Sequence, residues 1–199
     1  IAGANIKEFQ QIRTHAQIEE FCNRGHLMTN VIENADKPII CAINGFCLGG
    51  GLEVAMACHI RIAAEGAKIG LPEINLGIIP GFAGTQRLAR IVGKGRAIEM
   101  ILSGVPLSAK DALAIGLVNR VVPGSGLMEE SVGLARLIAR KGRLAVAAAL
   151  DSIINGLDCS YEEGSAIEIE NFMRVKVSAD AREGVDAFLA KREPQFRDM

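Results

Sequence analysis

The residues of this chain best suited to acid–base chemistry are two glutamates and a run of three glycines, Gly49-Gly50-Gly51. Glu53 stands two residues after the run, and Glu73 lies further on, in Leu71-Pro72-Glu73. Glycines that open a helix leave backbone N–H groups pointing outward with no side chains in front of them, which suits negative charge building on a carbonyl oxygen. A carboxylate in the first turns of that helix, and a second in a following turn, can pass protons to and from a substrate held there. Two carboxylates close together in an apolar cleft raise each other's proton affinity, so one stays protonated near neutral pH and supplies the acid. Plainer roles exist for each: Glu53 as a solvated carboxylate favoured by the helix dipole, Glu73 as a surface turn residue, and the glycines as close packing. A dinucleotide or nucleoside-triphosphate site is excluded, because no G-x-G-x-x-G is present and no Gly-Lys-[Ser/Thr] follows the run.

These groups need elements to hold them. Residues 38–43 form a short branched apolar run that predicts a strand buried on both faces, stopped by Asn44-Gly45. The glycines lead into a helix over 52–58; residues 60–64 and 68–71 read as two short strands around Glu65-Gly66, and Glu73 sits in the turn that follows. Residues 74–81 read as a loop, 84–91 and 93–102 as helices, 109–115 as a helix capped by Ser108 and stopped by Gly116, and 117–122 as a last strand. Ahead of all this, Ile18, Phe21, Cys22, Met28, Val31 and Ile32 recur at helical spacing within 10–33, which predicts an amphipathic helix packed on the sheet and weakened at Gly25. Past Pro123 the pattern is helical only: 128–140, 143–155, a capping box of Ser160 with Glu163 opening a helix to about 177, and 181–192. The chain thus divides into an α/β core, 1–123, and a helical region, 124–199, whose apolar faces must be buried on the core or on another subunit.

Composition narrows the possibilities. With 199 residues, 49% of them apolar, the chain can bury one sizeable core. Its 22 basic and 23 acidic residues give a net charge of −1 and no bulk attraction to nucleic acid or anionic membrane. The modest basic cluster Arg136, Arg140, Lys141 and Arg143 reads as a solvated face or the neighbour of a phosphate. Five cysteines without a CxxC pair, four of them in apolar segments, read as reduced core residues of a cytosolic-type protein. His15 and His26 lie among polar neighbours without ligand spacing, so no metal is expected. No apolar run approaches the roughly 18 residues of a membrane span, no targeting segment is visible, and the chain reads as beginning in mid-domain.

Ala2-Gly3-Ala4-Asn5-Ile6-Lys7, Asn44-Gly45 through Glu53, Leu71-Pro72-Glu73, Pro80-Gly81, Gln86-Arg87-Leu88, Leu107-Ser108-Ala109, Gly116-Leu117-Val118, Ala181-Arg182-Glu183-Gly184 and Phe188 follow one another in an order and spacing that resemble the crotonase family, most closely its enoyl-CoA hydratases. The resemblance spans nearly the whole chain. It implies a crotonase-like ββα spiral core with a C-terminal helical trimerisation region, assembling as a homotrimer or dimer of trimers, and an N-terminal part of the family fold absent from this sequence. It further implies reversible addition of water across the 2,3 double bond of an enoyl-CoA thioester, with no cofactor beyond the coenzyme A that the substrate carries. On that pattern the N–H groups of Ala4 and Gly50 form the oxyanion hole, Glu53 is the base toward water and Glu73 the acid toward the α-carbon. Ala2, Ile6, Leu76 and Gly81 would border the substrate, in a pocket near Phe9, Leu71 and Phe82. A location in the bacterial cytoplasm or mitochondrial matrix follows from the same resemblance. A Δ3,Δ2-enoyl-CoA isomerase is the nearest alternative, since family isomerases often keep only the carboxylate matching Glu73. RNA binding, known in relatives with a lysine-rich helix, finds no such lysine run here. Two positions depart from the family habit: Asn5 replaces a common Asp, and His59 stands where an acidic residue is common, at a helix end that favours a structural role.

Overall fold

The computed structural model describes Gly3 and residues 9–197. Its described elements begin with α1 (His15–Glu33), followed by β1 (Ile40–Ile43), β2 (Phe46–Leu48), α2 (Gly50–Ala57), β3 (Ile60–Ala64) and β4 (Lys68–Gly70). A 3-10 turn (Pro72–Leu76) leads to α3 (Gly84–Val92), α4 (Lys94–Ser103), β5 (Leu107–Ser108), α5 (Ala109–Ala114), β6 (Arg120–Val122) and α6 (Leu127–Ala139). The remainder is helical, with α7 (Arg143–Gly156), α8 (Tyr161–Lys176) and α9 (Ala179–Leu189).

The strands form two three-stranded sheets, β1-β3-β6 and β2-β4-β5. The first is parallel throughout, with Ile40 opposite Ile60 and Ile62 opposite Arg120. In the second, β2 runs parallel to β4 with Cys47 opposite Ile69, while β5 is antiparallel to β4. Twice the chain steps from the first sheet to the second at a glycine bend, Asn44-Gly45 and then Glu65-Gly66, and each time a helix or helical turn follows. This is the ββα spiral. It differs from the sequence expectation in that β2 exists at all: a three-residue strand between two glycine signals has no periodicity of its own and is defined by its pairing with β4. The strand buried throughout is also not β1. In β1 only Ile43 is fully buried, whereas Arg61 to Ala64 of β3 are all buried, because among the described residues β1 pairs with β3 alone while β3 has a partner strand on each side.

Two units divide the chain, one of Ile1–Glu33 with Ile39–Ser131 and another of Asn34–Pro38 with Val132–Met199. The core of the first includes Leu52, Ile69, Leu88 and Leu117, all at 0% exposure, so truncating one of them to Ala carries a cost of about 2–5 kcal/mol. Arg61 fixes the end of α2: its Nη1 donates at 2.6 Å to the Cys58 carbonyl, which the helix end leaves open, and its Nε donates to the Leu117 carbonyl at 2.8 Å. His59 is structural too. Its Nδ1 accepts the Ile39 N–H at 2.8 Å and its Nε2 donates to the Glu33 carbonyl at 3.1 Å, tying the end of α1 to the entrance of β1, and burial holds its pKa below the ordinary histidine value.

The second unit opens α8 with the capping box expected of Ser160 and Glu163. Helices α7 and α8 meet backbone to backbone at Gly156 and Gly164, where a Cβ on Gly164 would lie 2.9 Å from the Gly156 carbonyl oxygen. Alongside, Asn171 donates to Asp151 Oδ2 at 2.6 Å. Leu157, Tyr161, Val177 and Phe188 are each at least 79% exposed, leaving large apolar side chains on the surface of the single chain.

Candidate active site

The site begins at Gly49, whose φ of 54° lies in the left-handed region that glycine tolerates best. Its N–H donates to the Gly70 carbonyl at 3.0 Å, and its carbonyl accepts from Leu52 and Glu53, so the bend is locked to β4 on one side and starts α2 on the other. Gly50 is then the first residue of α2, and no carbonyl within that helix can receive its N–H. A Cβ on Gly49 would lie 3.0 Å from Glu73 Oε1, and one on Gly50 would lie 4.0 Å from Glu53 Oε2. The two carboxylates therefore flank adjacent residues of one glycine bend.

Glu53 is not the solvated helix-start carboxylate that its position allowed; it is 2% exposed. Its Oε1 accepts the Phe82 N–H at 2.7 Å and the Gly84 N–H at 2.9 Å. Gly84 makes this approach possible, since a Cβ there would sit 2.7 Å from Glu53 Oε1 and 2.9 Å from Pro80 Cβ. Between the two donors, Ala83 is held at a φ of 65°, a left-handed conformation costing a non-glycine residue about 1–2 kcal/mol. Burial pushes the Glu53 carboxyl above the ordinary glutamate range, against the opposing pull of the Phe82 and Gly84 N–H groups and of positive charge on Arg87 and His26.

Glu73 projects from the 3-10 turn and is half-buried. Its Oε2 is buried and has no hydrogen-bond partner among the described residues, an acceptor left open at the glycine bend. Burial raises its proton affinity, its own backbone N–H lowers it, and the charge of Glu53 raises it further.

The loop carrying Phe82 and Gly84 is anchored by Arg87, a residue whose role only the fold reveals. Its guanidinium is buried and donates to the Phe82 carbonyl (3.1 Å), Thr29 Oγ1 (3.0 Å), Asn30 Oδ1 (2.9 Å) and Glu33 Oε2 (2.6 Å). Helix α1 is thereby bound to the loop and to α3, which carries Arg87, and this corrects the expectation that it packs on the sheet with Ile18, Met28 and Val31 inward. Those three are exposed, and the buried positions are Gly25 and Thr29. The helix runs unbroken through Gly25; Phe82 fills the space beside it, and a Cβ on Gly25 would lie 1.9 Å from the ring. Phe9, Phe21 and Phe82 follow one another, with ring centroids 5.9 and 5.0 Å apart.

Of the other residues assigned from the sequence, Gly81 is half-buried in the same loop, against Cys22. Leu76 ends the turn that carries Glu73 and is 61% exposed. Leu71 belongs to the hydrophobic core at 1% exposure, so it supports the site from behind instead of lining it. Ala2, Ala4, Asn5 and Ile6 lie outside the described residues.

A glycine-headed helix, one buried and one half-buried carboxylate beside it and a ββα spiral define the crotonase class. The enoyl-CoA hydratase/isomerase family model matches residues 1–199, and the chain belongs to that family. It is 49% identical to a Bacillus subtilis protein named probable enoyl-CoA hydratase, over 98% of this chain and 76% of the relative. It is 42% identical to a crotonyl-CoA hydratase of Syntrophomonas wolfei, over 98% and 75% of the two chains. A crystal structure of enoyl-CoA hydratase from Bacillus anthracis superposes at a TM-score of 0.95 with 40% identity, covering 100% of this chain and 76% of that one. No helix among the described residues is long and apolar enough to cross a membrane.

Proposed function

We propose that the protein adds water reversibly, with syn geometry, across the 2,3 double bond of an enoyl-CoA thioester to give the 3-hydroxyacyl-CoA. It is an enzyme of the hydro-lyase type, as its kinship with enoyl-CoA hydratases indicates. The observation that carries the reading is a pair of glutamates, Glu53 buried and Glu73 half-buried, both with raised proton affinity, beside the adjacent Gly49 and Gly50 at the helix start. Hydration needs a base for water, a proton for the α-carbon and a donor for the thioester oxygen as it gains charge. The Gly50 N–H supplies that donor at the positive end of α2, and the family pattern assigns the second to Ala4; loss of one such donor typically costs about 10²–10³ in rate. Glu53, held in place by two backbone N–H groups on Oε1, is the base that draws a proton from water at C3. Glu73, with Oε2 unpaired among the described residues and its proton affinity raised, gives its proton to C2. In dehydration the roles reverse.

Loss of conjugated-thioester absorbance on adding crotonyl-CoA tests the reaction. Glu53→Gln and Glu73→Gln are each expected to lower turnover by about 10²–10⁴ while acyl-CoA still binds. Near-normal turnover in either variant refutes its assignment. The exposed Leu157, Tyr161, Val177 and Phe188 support assembly into a homotrimer or dimer of trimers, which light scattering on the eluting protein checks.

A further inference from the structure

The Phe82 ring is wedged edge to edge between two glycines. One edge, Cδ1 and Cε1, lies against Gly25 of α1, where an added Cβ would come within 1.9 and 2.3 Å. The opposite edge, Cε2 and Cδ2, faces Gly50, 3.6 and 3.7 Å from where its Cβ would be. Phe21 backs the ring at 5.0 Å. The backbone of Phe82 is pinned on both sides as well, its N–H to Glu53 and its carbonyl to Arg87. Packing against Gly25, Gly50 and Phe21 holds the ring, while these two bonds hold the backbone that carries it.

From this we infer that Phe82 is the specificity-determining wall of the acyl site and restricts the enzyme to short enoyl chains. The inference rests on the hydratase reading. With the thioester oxygen on the Gly50 N–H and C2 and C3 between Glu53 and Glu73, carbons from C4 onward leave the glycine bend beside the ring that covers Gly50. A chain of four carbons ends there, whereas longer chains meet an aromatic edge held from behind by α1. The sequence shows the arrangement only in combination: a glycine in the middle of a helix, unfavourable by itself, makes room for a phenylalanine in a distant loop.

The test compares kcat/KM for crotonyl-CoA and 2-octenoyl-CoA in the wild type, Phe82→Ala and Phe82→Leu. Each methylene accommodated is worth about fourfold, so the four extra methylenes of octenoyl set a ceiling of about 200-fold on the change in preference. The octenoyl-to-crotonyl ratio is expected to rise at least about tenfold in Phe82→Ala and by less in Phe82→Leu. An unchanged ratio in folded, active variants overturns the wall. Loss of turnover on both substrates in both variants, with native circular dichroism, makes the ring a positioning element and equally overturns it. Should Phe82→Ala not fold, the ratio in Phe82→Leu decides alone. A wild type inactive on crotonyl-CoA and octenoyl-CoA alike refutes the hydratase reading itself, and that result is distinct from all the others.

Discussion

Replacing Arg87 by Met gives the most informative perturbation of this site, because it should change stability and the pH dependence of catalysis together. Arg87 is 7% exposed, and its guanidinium holds Glu33 at 2.6 Å and also binds Thr29, Asn30 and the Phe82 carbonyl. Breaking a buried ion pair by removing one partner costs about 3–5 kcal/mol, but the Glu33 side chain is 34% exposed and can recover water, so about 2–3 kcal/mol is the appropriate figure. For a chain of this size that corresponds to a melting temperature lower by about 5–10 °C. Catalysis responds through Glu53. Positive charge on Arg87 opposes the rise that burial imposes on the Glu53 carboxyl, so its removal raises that pKa further. Since Glu53 must be ionised to act as base, the acidic limb of the kcat/KM profile for crotonyl-CoA should move to higher pH. Arg87→Lys keeps the charge without the planar fork and should lose stability while the limb stays near its wild-type position. Thermal unfolding followed by circular dichroism, and hydration rates between pH 5 and 9, measure both effects. A methionine variant that melts with the wild type and keeps its pH profile would refute the assigned anchoring role.

Three further outcomes are expected. Gly84→Ala should lose most hydratase activity, because the new Cβ would lie 2.7 Å from Glu53 Oε1 and must displace that carboxylate or the loop; wild-type rates would exclude the contact. The Glu53 pKa is raised on folding, so its contribution to stability is present below about pH 4.3 and is lost as pH rises through the folded value. Glu53→Gln should therefore gain thermal stability relative to the wild type between pH 5 and pH 8 even as turnover is lost, and a gap that does not widen with pH argues against burial as the cause. His59 has the opposite sign: its pKa is lowered on folding, so stability is lost as pH falls from about 6.5, and His59→Gln should remove that loss from urea titrations at pH 5 and 7.

The parts of this protein legible in the sequence are those written in neighbouring residues. Gly49 to Glu53 announces a glycine-headed helix bearing a carboxylate, and Ser160 with Glu163 announces a helix start, because a few adjacent positions carry the whole signal. What was hidden depends on partners far apart in the chain. Whether Glu53 is solvated or buried is decided by a loop 29 residues away that covers it. The inward face of α1 could not be read from its apolar residues, because the positions it buries are a glycine and a threonine, chosen by Phe82 and Arg87. The strand β2 exists only through its pairing, and the partial exposure of β1, against the expectation of burial on both faces, is set by its neighbours and not by its composition.

The seat of Phe82 against Gly25 also constrains how this sequence can change over evolutionary time. Any side chain at position 25 collides with the ring, starting at 1.9 Å, whereas a smaller residue at 82 meets no obstacle from glycine at 25. The two positions are therefore epistatic, and the order of mutation matters. Position 82 can shrink first, after which alanine becomes available at 25 and brings the better helix propensity that the glycine forgoes, by about 0.8–1.0 kcal/mol. The reverse order passes through an intermediate with a displaced loop and a misplaced Glu53. Once the helix has acquired its alanine, phenylalanine cannot return to 82 without a second change, so the lineage would lose access to the ring by a step that never touched a catalytic residue.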